Sequence, residues 1–153
     1  MTPIHILMAE DNEGDVLLTR EAFAEAKIVT HFSVVKDGKE AIDFLARQGK
    51  YEHESMPDLL LLDVNLPRKN GHEVLQYVKG DAHLQHIPVV MLSTSSSPKD
   101  IKLALTNQAR CFLTKPINMS EFLGALTNIE NLSLRLVNVS ATRNSNPGES
   151  QSS

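Results

Sequence analysis

The stretch Leu59-Leu60-Leu61-Leu62-Asp63 decides the fold of this chain. Four consecutive leucines leave no polar face, and this pattern is typical of a strand that is covered on both sides in a parallel sheet. The stretch ends in a carboxylate, so the strand should deliver an acidic side chain to one edge of the sheet. We therefore predict a central buried strand over Leu59–Asp63.

Four other short apolar runs alternate with longer amphipathic stretches, and this rhythm predicts βα units around a parallel sheet. Together with the leucine run, the predicted strands lie near Ile4–Ala9, Phe32–Val35, Leu59–Asp63, Val89–Ser93 and Cys111–Thr114. The predicted fold class is α/β, a doubly wound (βα)5 arrangement with five parallel strands.

Three predicted helices begin with capping residues, in which an oxygen acceptor precedes a carboxylate in the first turn. These caps are Asp37, Ser97 and Asn118. Helical spacing predicts the inward positions of two further helices. The first should run from about 13 to 26 with Val16, Leu17, Phe23 and Ala24 inward, and the third from about 72 to 79 with Val74, Leu75 and Val78 inward.

The composition is that of one ordinary globular domain, with 153 residues of which 41% are hydrophobic and 22% charged. A formal net charge of -4 supplies no basic field, which disfavours direct binding to nucleic acid. The first apolar run meets Glu10 and Asp11 long before it could span a membrane, so neither anchoring nor export is expected. The single cysteine, Cys111, cannot form an internal disulfide and suits a reducing cytoplasm.

Polar side chains follow four of the predicted strands at their carboxyl ends. The first strand runs into Glu10 and Asp11, the third into Asp63 with Asn65 after it, the fourth into Ser93 and Thr94, and the fifth into Thr114 and Lys115. Because the carboxyl ends of parallel strands meet at one edge, these side chains should lie together.

Three carboxylates at one edge repel one another by roughly 3 kcal/mol per pair at ~5 Å and an effective dielectric constant near 20. A bound cation relieves that repulsion, and ligands that are all oxygens favour Mg²⁺ over zinc or copper. A carboxylate beside Mg²⁺ and a lysine can attack a phosphorus atom, and Asp63 is the best candidate for that nucleophile. Lys115 can pair with Asp63 or with an incoming phosphoryl oxygen.

Four stretches of the chain resemble the signature stretches of response regulator receiver domains. They are Ile-Leu-Met-Ala-Glu-Asp-Asn, Leu-Leu-Leu-Leu-Asp-Val-Asn-Leu-Pro-Arg-Lys-Asn-Gly, Pro-Val-Val-Met-Leu-Ser-Thr and Phe-Leu-Thr-Lys-Pro. The resemblance covers residues from about 3 to 130. The residues that follow Asp63, together with a helical extension in place of an output domain, are most similar to those of the small cyanobacterial phytochrome response regulators.

This resemblance implies a flavodoxin-like strand order of 2-1-3-4-5 and a role for each matching residue. Asp63 would accept a phosphoryl group from a sensor histidine kinase, and the resemblance to phytochrome response regulators implies that this kinase is a phytochrome. Asp11 would bind Mg²⁺ directly, Glu10 through water and Asn65 through its backbone carbonyl, while Lys115 would contact the phosphoryl oxygens. Ser93 and Phe112 would form the switch pair, with Phe112 acting through ring burial because it lacks a hydroxyl, and Pro116 would be a cis-proline.

The predicted domain organisation has three parts. Residues 1–130 form the receiver domain, residues 131–139 a C-terminal helical extension, and residues 140–153 a disordered tail rich in serine and asparagine. The extension carries an apolar stripe from Ile129 to Val139, which either mediates homodimerisation or folds back onto the core. The expected output face comprises the helix from Pro98, the strand Cys111–Thr114 and the final helix.

Other functions are less consistent with these residues. A flavin-binding electron carrier would not place Glu10 and Asp11 where a phosphate must bind. A phosphatase with an aspartyl nucleophile needs a second acid two residues later, and that position is Asn65. We expect a response regulator that catalyses only its own phosphorylation and dephosphorylation. A phosphorylation-independent adaptor remains the alternative, and the sequence names neither the kinase nor the downstream protein.

Overall fold

A computed structural model describes residues 3–126, in which five strands alternate with helices along the chain. The strands are β1 (Ile4–Ala9), β2 (Thr30–Val35), β3 (Leu59–Asp63), β4 (Val89–Ser93) and β5 (Cys111–Thr114). The α-helices are α1 (Glu13–Glu25), α2 (Gly38–Leu45), α3 (Gly71–Lys79), α4 (Pro98–Thr106) and α5 (Met119–Ala125), with a 3-10 turn at Gly49–Tyr51. The predicted βα alternation is therefore confirmed.

All strand pairs are parallel, and the order across the sheet is β2-β1-β3-β4-β5. The leucine strand β3 lies at the centre, where Leu61 pairs with Met8 of β1 and Val90 of β4. The doubly wound fold and the order 2-1-3-4-5 are thus confirmed. The predicted start of β2 at Phe32 was two residues late, because Thr30 and His31 extend the ladder beside Ile4 and His5 despite their polar side chains.

The core has two layers, one on each face of the sheet. The helices α2, α3 and α4 cover the face that receives Leu60 and Leu62, and α1 and α5 cover the face that receives Leu59 and Leu61. All four leucines are at most 1% exposed, so each contributes on the order of 2 kcal/mol of hydrophobic stabilisation. The period-two alternation of β3 therefore supplies both layers at once.

The predicted caps begin three of the helices. Asp37 accepts a hydrogen bond from the amide of Glu40 at 2.7 Å, and Asn118 accepts one from the amide of Glu121 at 3.0 Å. Ser97 caps α4 in the same way. These bonds satisfy amides that have no partner within the helix and so determine where each helix begins.

The inward face of α1 differs from the prediction. Val16 and Phe23 are buried as expected, but Leu17 is 57% exposed and Ala24 is exposed, so those two assignments were wrong. The helix instead buries Thr19 with Val16 and Phe23, a narrower stripe at spacings of three and four residues. The inward positions predicted for α3 are confirmed, because Val74, Leu75 and Val78 are all buried.

The C-terminal part of the chain lies outside the described residues. The predicted extension 131–139, the tail 140–153 and the apolar stripe from Ile129 to Val139 fall there, as do both ends of the predicted domain 1–130. Over residues 3–126, no helix has the length and apolar character needed to cross a membrane.

Candidate functional site

Four strands, β1, β3, β4 and β5, end in or run into polar residues. Their carboxyl ends lie at the same height in the sheet. Ala9 of β1 pairs with Leu62 of β3, Asp63 pairs with Leu92 of β4, and Ser93 pairs with Thr114 of β5. The residues that follow these pairs therefore emerge at a common edge. This parallel register brings the predicted acidic, hydroxyl and lysine residues to one side of the molecule.

Three carboxylates meet at this edge, as the sequence predicted. Oxygens of Glu10, Asp11 and Asp63 all lie within 4.8 Å of one another. Glu10 is 1% exposed and Asp63 is 6% exposed, whereas Asp11 is exposed. Close carboxylates on a partly dry edge are the ligand set and the charge that a hard divalent cation requires, so the residues present fit Mg²⁺.

Lys115 lies among these acidic groups. Its Nζ is 2.6 Å from Oε1 of Glu10, 2.9 Å from Oδ2 of Asp15 and 3.5 Å from Oδ1 of Asp63. The predicted pairing with Asp63 is therefore present, but it is the longest of the three contacts. The side chain of Lys115 is 10% exposed, so its charge is poorly screened by solvent.

Asp15 is a member of this group that the sequence did not reveal. It lies in the first turn of α1, where an acidic residue already has a sufficient explanation in the helix dipole. Its partner Lys115 is 100 residues away in sequence. The available signal was the position of Asp15 four residues after Asp11, in the first turn of the helix that follows the acidic pair.

Burial and charge act in opposite directions on the pKa values of Glu10 and Lys115. Burial raises the pKa of Glu10, while its hydrogen bonds from Lys115 and from the amide of Asn12 oppose that shift. Burial alone would lower the pKa of Lys115, but the hydrogen bonds to Glu10 and Asp15 and the charge of Asp63 outweigh it and raise that pKa. Lys115 therefore stays protonated, and burial makes the negative charge of Glu10 costly to keep.

The loop from β3 to α3 holds Asp63 in place. The amide of Asn65 donates a hydrogen bond to Oδ1 of Asp63 at 3.2 Å. The amide of Gly71 donates to the carbonyl of Val64 at 2.9 Å, and a Cβ at Gly71 would collide with the carbonyl oxygen of Asp63. A glycine is therefore required where α3 begins against the backbone of β3. Asn70 and Glu73 complete a capping box at that helix start.

Ser93 lies at the same edge, whereas Phe112 lies lower in the sheet. Ser93 is buried, and its Oγ accepts a hydrogen bond from the amide of Ser95 at 3.2 Å. The amide of Lys115 donates to the carbonyl of Ser93 at 2.7 Å and joins the ends of β4 and β5. Phe112 pairs with Met91 and is half-buried against the core that α2, α3 and α4 cover. The peptide bond between Lys115 and Pro116 is cis, as predicted.

A family model and a similar known protein assign the chain to the same family. A family model for the response regulator receiver domain matches residues 6–127. The chain is 37% identical over 139 residues to response regulator Rcp1 of Synechocystis sp., covering 91% of this chain and 95% of that protein.

Solved structures of similar proteins agree with that result. The phosphorylated cyanobacterial phytochrome response regulator RcpA is 40% identical with a TM-score of 0.72, covering 87% of this chain and 95% of that one. The Mn²⁺-bound form of Rcp1 is 36% identical with a TM-score of 0.72, covering 84% of this chain and 96% of that one.

Proposed function

The chain belongs to the family of response regulator receiver domains, and we propose that it is a response regulator that accepts a phosphoryl group on Asp63. The observation that carries this proposal is the placement of Asp63 at the end of the central strand. It lies beside two further carboxylates and 3.5 Å from the ammonium group of Lys115. A nucleophilic carboxylate with this surrounding charge suits attack on a phosphoryl group.

In the proposed reaction a carboxylate oxygen of Asp63 attacks the phosphorus of a phosphohistidine on a sensor kinase. The new P–O bond forms as the P–N bond breaks, and the imidazole leaves with the electron pair of the broken bond and takes up a proton from solvent. Lys115 neutralises charge on the transferred oxygens. Water later attacks the phosphorus, the P–O bond to Asp63 breaks, and inorganic phosphate leaves as Asp63 returns to its carboxylate form. The domain would thus catalyse only its own phosphorylation and dephosphorylation.

Asp11, Asp63, the backbone carbonyl of Asn65 and, through water, Glu10 would hold Mg²⁺. When bound, the ion supplies positive charge that offsets both the crowded carboxylates and the phosphoryl oxygens. The Mn²⁺-bound form of the similar protein Rcp1 supports a divalent ion at this acidic edge.

Ser93 and Phe112 would transmit the state of Asp63 to the rest of the domain. In this proposal the hydroxyl of Ser93 moves to a phosphoryl oxygen and Phe112 turns further into the core. Ser93 and Phe112 belong to the neighbouring strands β4 and β5, and β5 contacts both α4 and α5, so the change would alter the face formed by α4, β5 and α5. A downstream protein would recognise that face.

The proposed upstream partner is a sensor histidine kinase of the phytochrome type. This part rests on the similarity to Rcp1 and to the phytochrome response regulator RcpA. A cytoplasmic location and a receiver domain over residues 1–130 belong to the same proposal, as does a homodimer formed through the C-terminal face. Sedimentation at high protein concentration with and without phosphorylation tests the dimer, and a monomer under both conditions would exclude it.

Intact-mass analysis after incubation with acetyl phosphate tests the central step. We expect the wild-type protein to gain one phosphoryl group only when Mg²⁺ is present. The Asp63→Asn variant, which keeps the shape of the side chain, should gain none. A folded wild-type protein that gains no phosphoryl group would favour the phosphorylation-independent adaptor.

A further inference from the structure

We propose that Asp15 is a positioning residue for phosphoryl transfer, because it holds the ammonium group of Lys115 in the direction of Asp63. The inference rests on the proposed function and extends it to a residue outside the acidic group expected to bind the ion. Asp15 is absent from the cluster of mutually close oxygens formed by Glu10, Asp11 and Asp63. Its side chain instead contacts Lys115 at 2.9 Å.

The backbone of Asp15 is fixed on both sides. Its amide donates a hydrogen bond to Oδ1 of Asn12 at 3.0 Å, which is the cap of α1. Its carbonyl accepts a hydrogen bond from the hydroxyl of Thr19 at 2.9 Å, and Thr19 is buried. The carboxylate of Asp15 therefore projects from a rigid first turn, and the lysine that it holds shares that rigidity.

The ammonium group of Lys115 has three N–H donors. Two of them are taken by Glu10 at 2.6 Å and Asp15 at 2.9 Å. Because two of its donors are engaged, the ammonium group cannot rotate freely. Its Nζ lies 3.5 Å from Oδ1 of Asp63. This contact is too long for a strong hydrogen bond to the carboxylate, but a phosphoryl group on Asp63 would extend its oxygens into that gap.

Asp15 also gives Lys115 a negative partner that lies outside the acidic cluster expected to bind a divalent ion. Glu10 is shared, because it bonds to Lys115 and lies in the acidic cluster. A cation at that cluster would draw on the charge of Glu10 and weaken its hold on the lysine. Asp15 then remains as a counter-charge whose one ion pair among residues 3–126 is with Lys115, and it keeps the ammonium group at the edge of the sheet.

The test compares Asp15→Asn with a matched control, Glu13→Gln. Both variants remove one negative charge from the first turn of α1, so effects on net charge and on the helix dipole are shared. Glu13 contacts only the exposed Lys36 among the ion pairs of the described residues, at 3.7 Å, and its side chain is 87% exposed. A difference between the two variants therefore isolates the contact with Lys115.

Two measurements are made on the full chain. The first is the rate constant for phosphorylation by acetyl phosphate at saturating Mg²⁺, which should fall about three- to tenfold in Asp15→Asn and stay within about twofold in Glu13→Gln. The second is NMR relaxation of the Lys115 Cε methylene without donor or metal, which should show greater mobility in Asp15→Asn only. The Glu13→Gln variant shows how far a changed first turn of α1 alone alters the mobility of Lys115. Asp15→Ser, which also removes the carboxylate, repeats both measurements if the asparagine variant is unfolded.

The outcomes distinguish this inference from the proposed function. If the wild-type protein takes no phosphoryl group, the proposed function fails and the inference falls with it. If the wild-type protein is phosphorylated while Asp15→Asn reacts at the same rate with an equally restrained Lys115, the inference alone is overturned. Equal losses in Asp15→Asn and Glu13→Gln would also overturn it, because the effect would then be one of net charge.

Discussion

Replacing Gly71 with alanine should destabilise the protein by forcing α3 away from the strand that carries Asp63. A Cβ at this position would collide with the carbonyl oxygen of Asp63 and lie only 3.0 Å from the Cα of Val64. Carbon atoms in contact are ordinarily about 3.5 to 4.0 Å apart, so the helix start and the strand must separate by at least about 0.5 Å. Because both sides are backbone, the strain should cost about 2 to 3 kcal/mol of unfolding free energy.

Urea unfolding monitored by far-ultraviolet circular dichroism measures that loss. The control is Gly124→Ala, in α5, where a Cβ would have no atom of residues 3–126 within 4 Å apart from its own helix and chain neighbours. Alanine is the better helix former, so the control should be neutral or more stable by up to about 1 kcal/mol. A Gly71→Ala protein as stable as the wild type would refute the argument that close approach of α3 to β3 shapes the site.

Three further predictions follow from burial and charge. Leu61→Ala, at the centre of β3, should lose about 3 to 5 kcal/mol of unfolding free energy in urea, whereas Leu105→Ala, at 52% exposure, should lose less than about 1 kcal/mol; equal losses would contradict the assignment of the core. Burial raises the pKa of the Cys111 thiol to about 11 from 9.0, so iodoacetamide at pH 8 should modify the folded protein at least about a hundredfold more slowly than the urea-unfolded protein. The unfolded chain loses that proton first, so the free energy of unfolding should also fall as the pH rises from about 9 to 11, and a flat profile would contradict it. Asp11→Asn removes repulsion from the carboxylates of Glu10 and Asp63 without breaking an ion pair with Lys115, so it should raise the metal-free melting temperature by about 2 °C. It should also reduce the further rise that Mg²⁺ produces, and thermal unfolding with and without the ion measures both effects.

The fold and most of the acidic edge could be predicted because their signals are local. The four leucines of β3 indicate a buried strand in a parallel sheet. The direction of that strand then places Asp63 at its carboxyl end, on one edge of the sheet. The same logic located Glu10, Ser93 and Lys115, since each follows directly from a strand end. Sequence order alone was enough for these residues, because strand direction converts it into position.

The errors on α1 and β2 arose where local pattern leaves a choice. Leu17 is as apolar as the residues that α1 buries, but the face of the sheet accepts only a narrow stripe through Val16 and Phe23. Thr30 and His31 have no apolar pattern, yet the edge strand continues through them because β1 offers partners for their backbone. In both cases tertiary packing or pairing decided what propensity could not.

Asp15 could not be predicted because its importance depends on a contact between distant parts of the chain. An acidic residue in a first helical turn is explained locally by the helix dipole, so it attracts no further notice. Only the fold brings it to Lys115, where it becomes one of three carboxylates around a single ammonium group. Side-chain placement, rather than motif spacing, carries this part of the site.

Borohydride trapping tests the central claim most directly, because it reads the position of the phosphoryl group. The protein is incubated with acetyl phosphate and Mg²⁺, reduced with borohydride, which converts an acyl phosphate to an alcohol, and mapped by peptide mass spectrometry. We predict homoserine in place of Asp63, and at no other acidic residue, with none formed when Mg²⁺ is omitted. Reduction at Asp11 or Glu10 instead, or an unmodified Asp63 in a protein that has gained a phosphoryl group, would contradict the account.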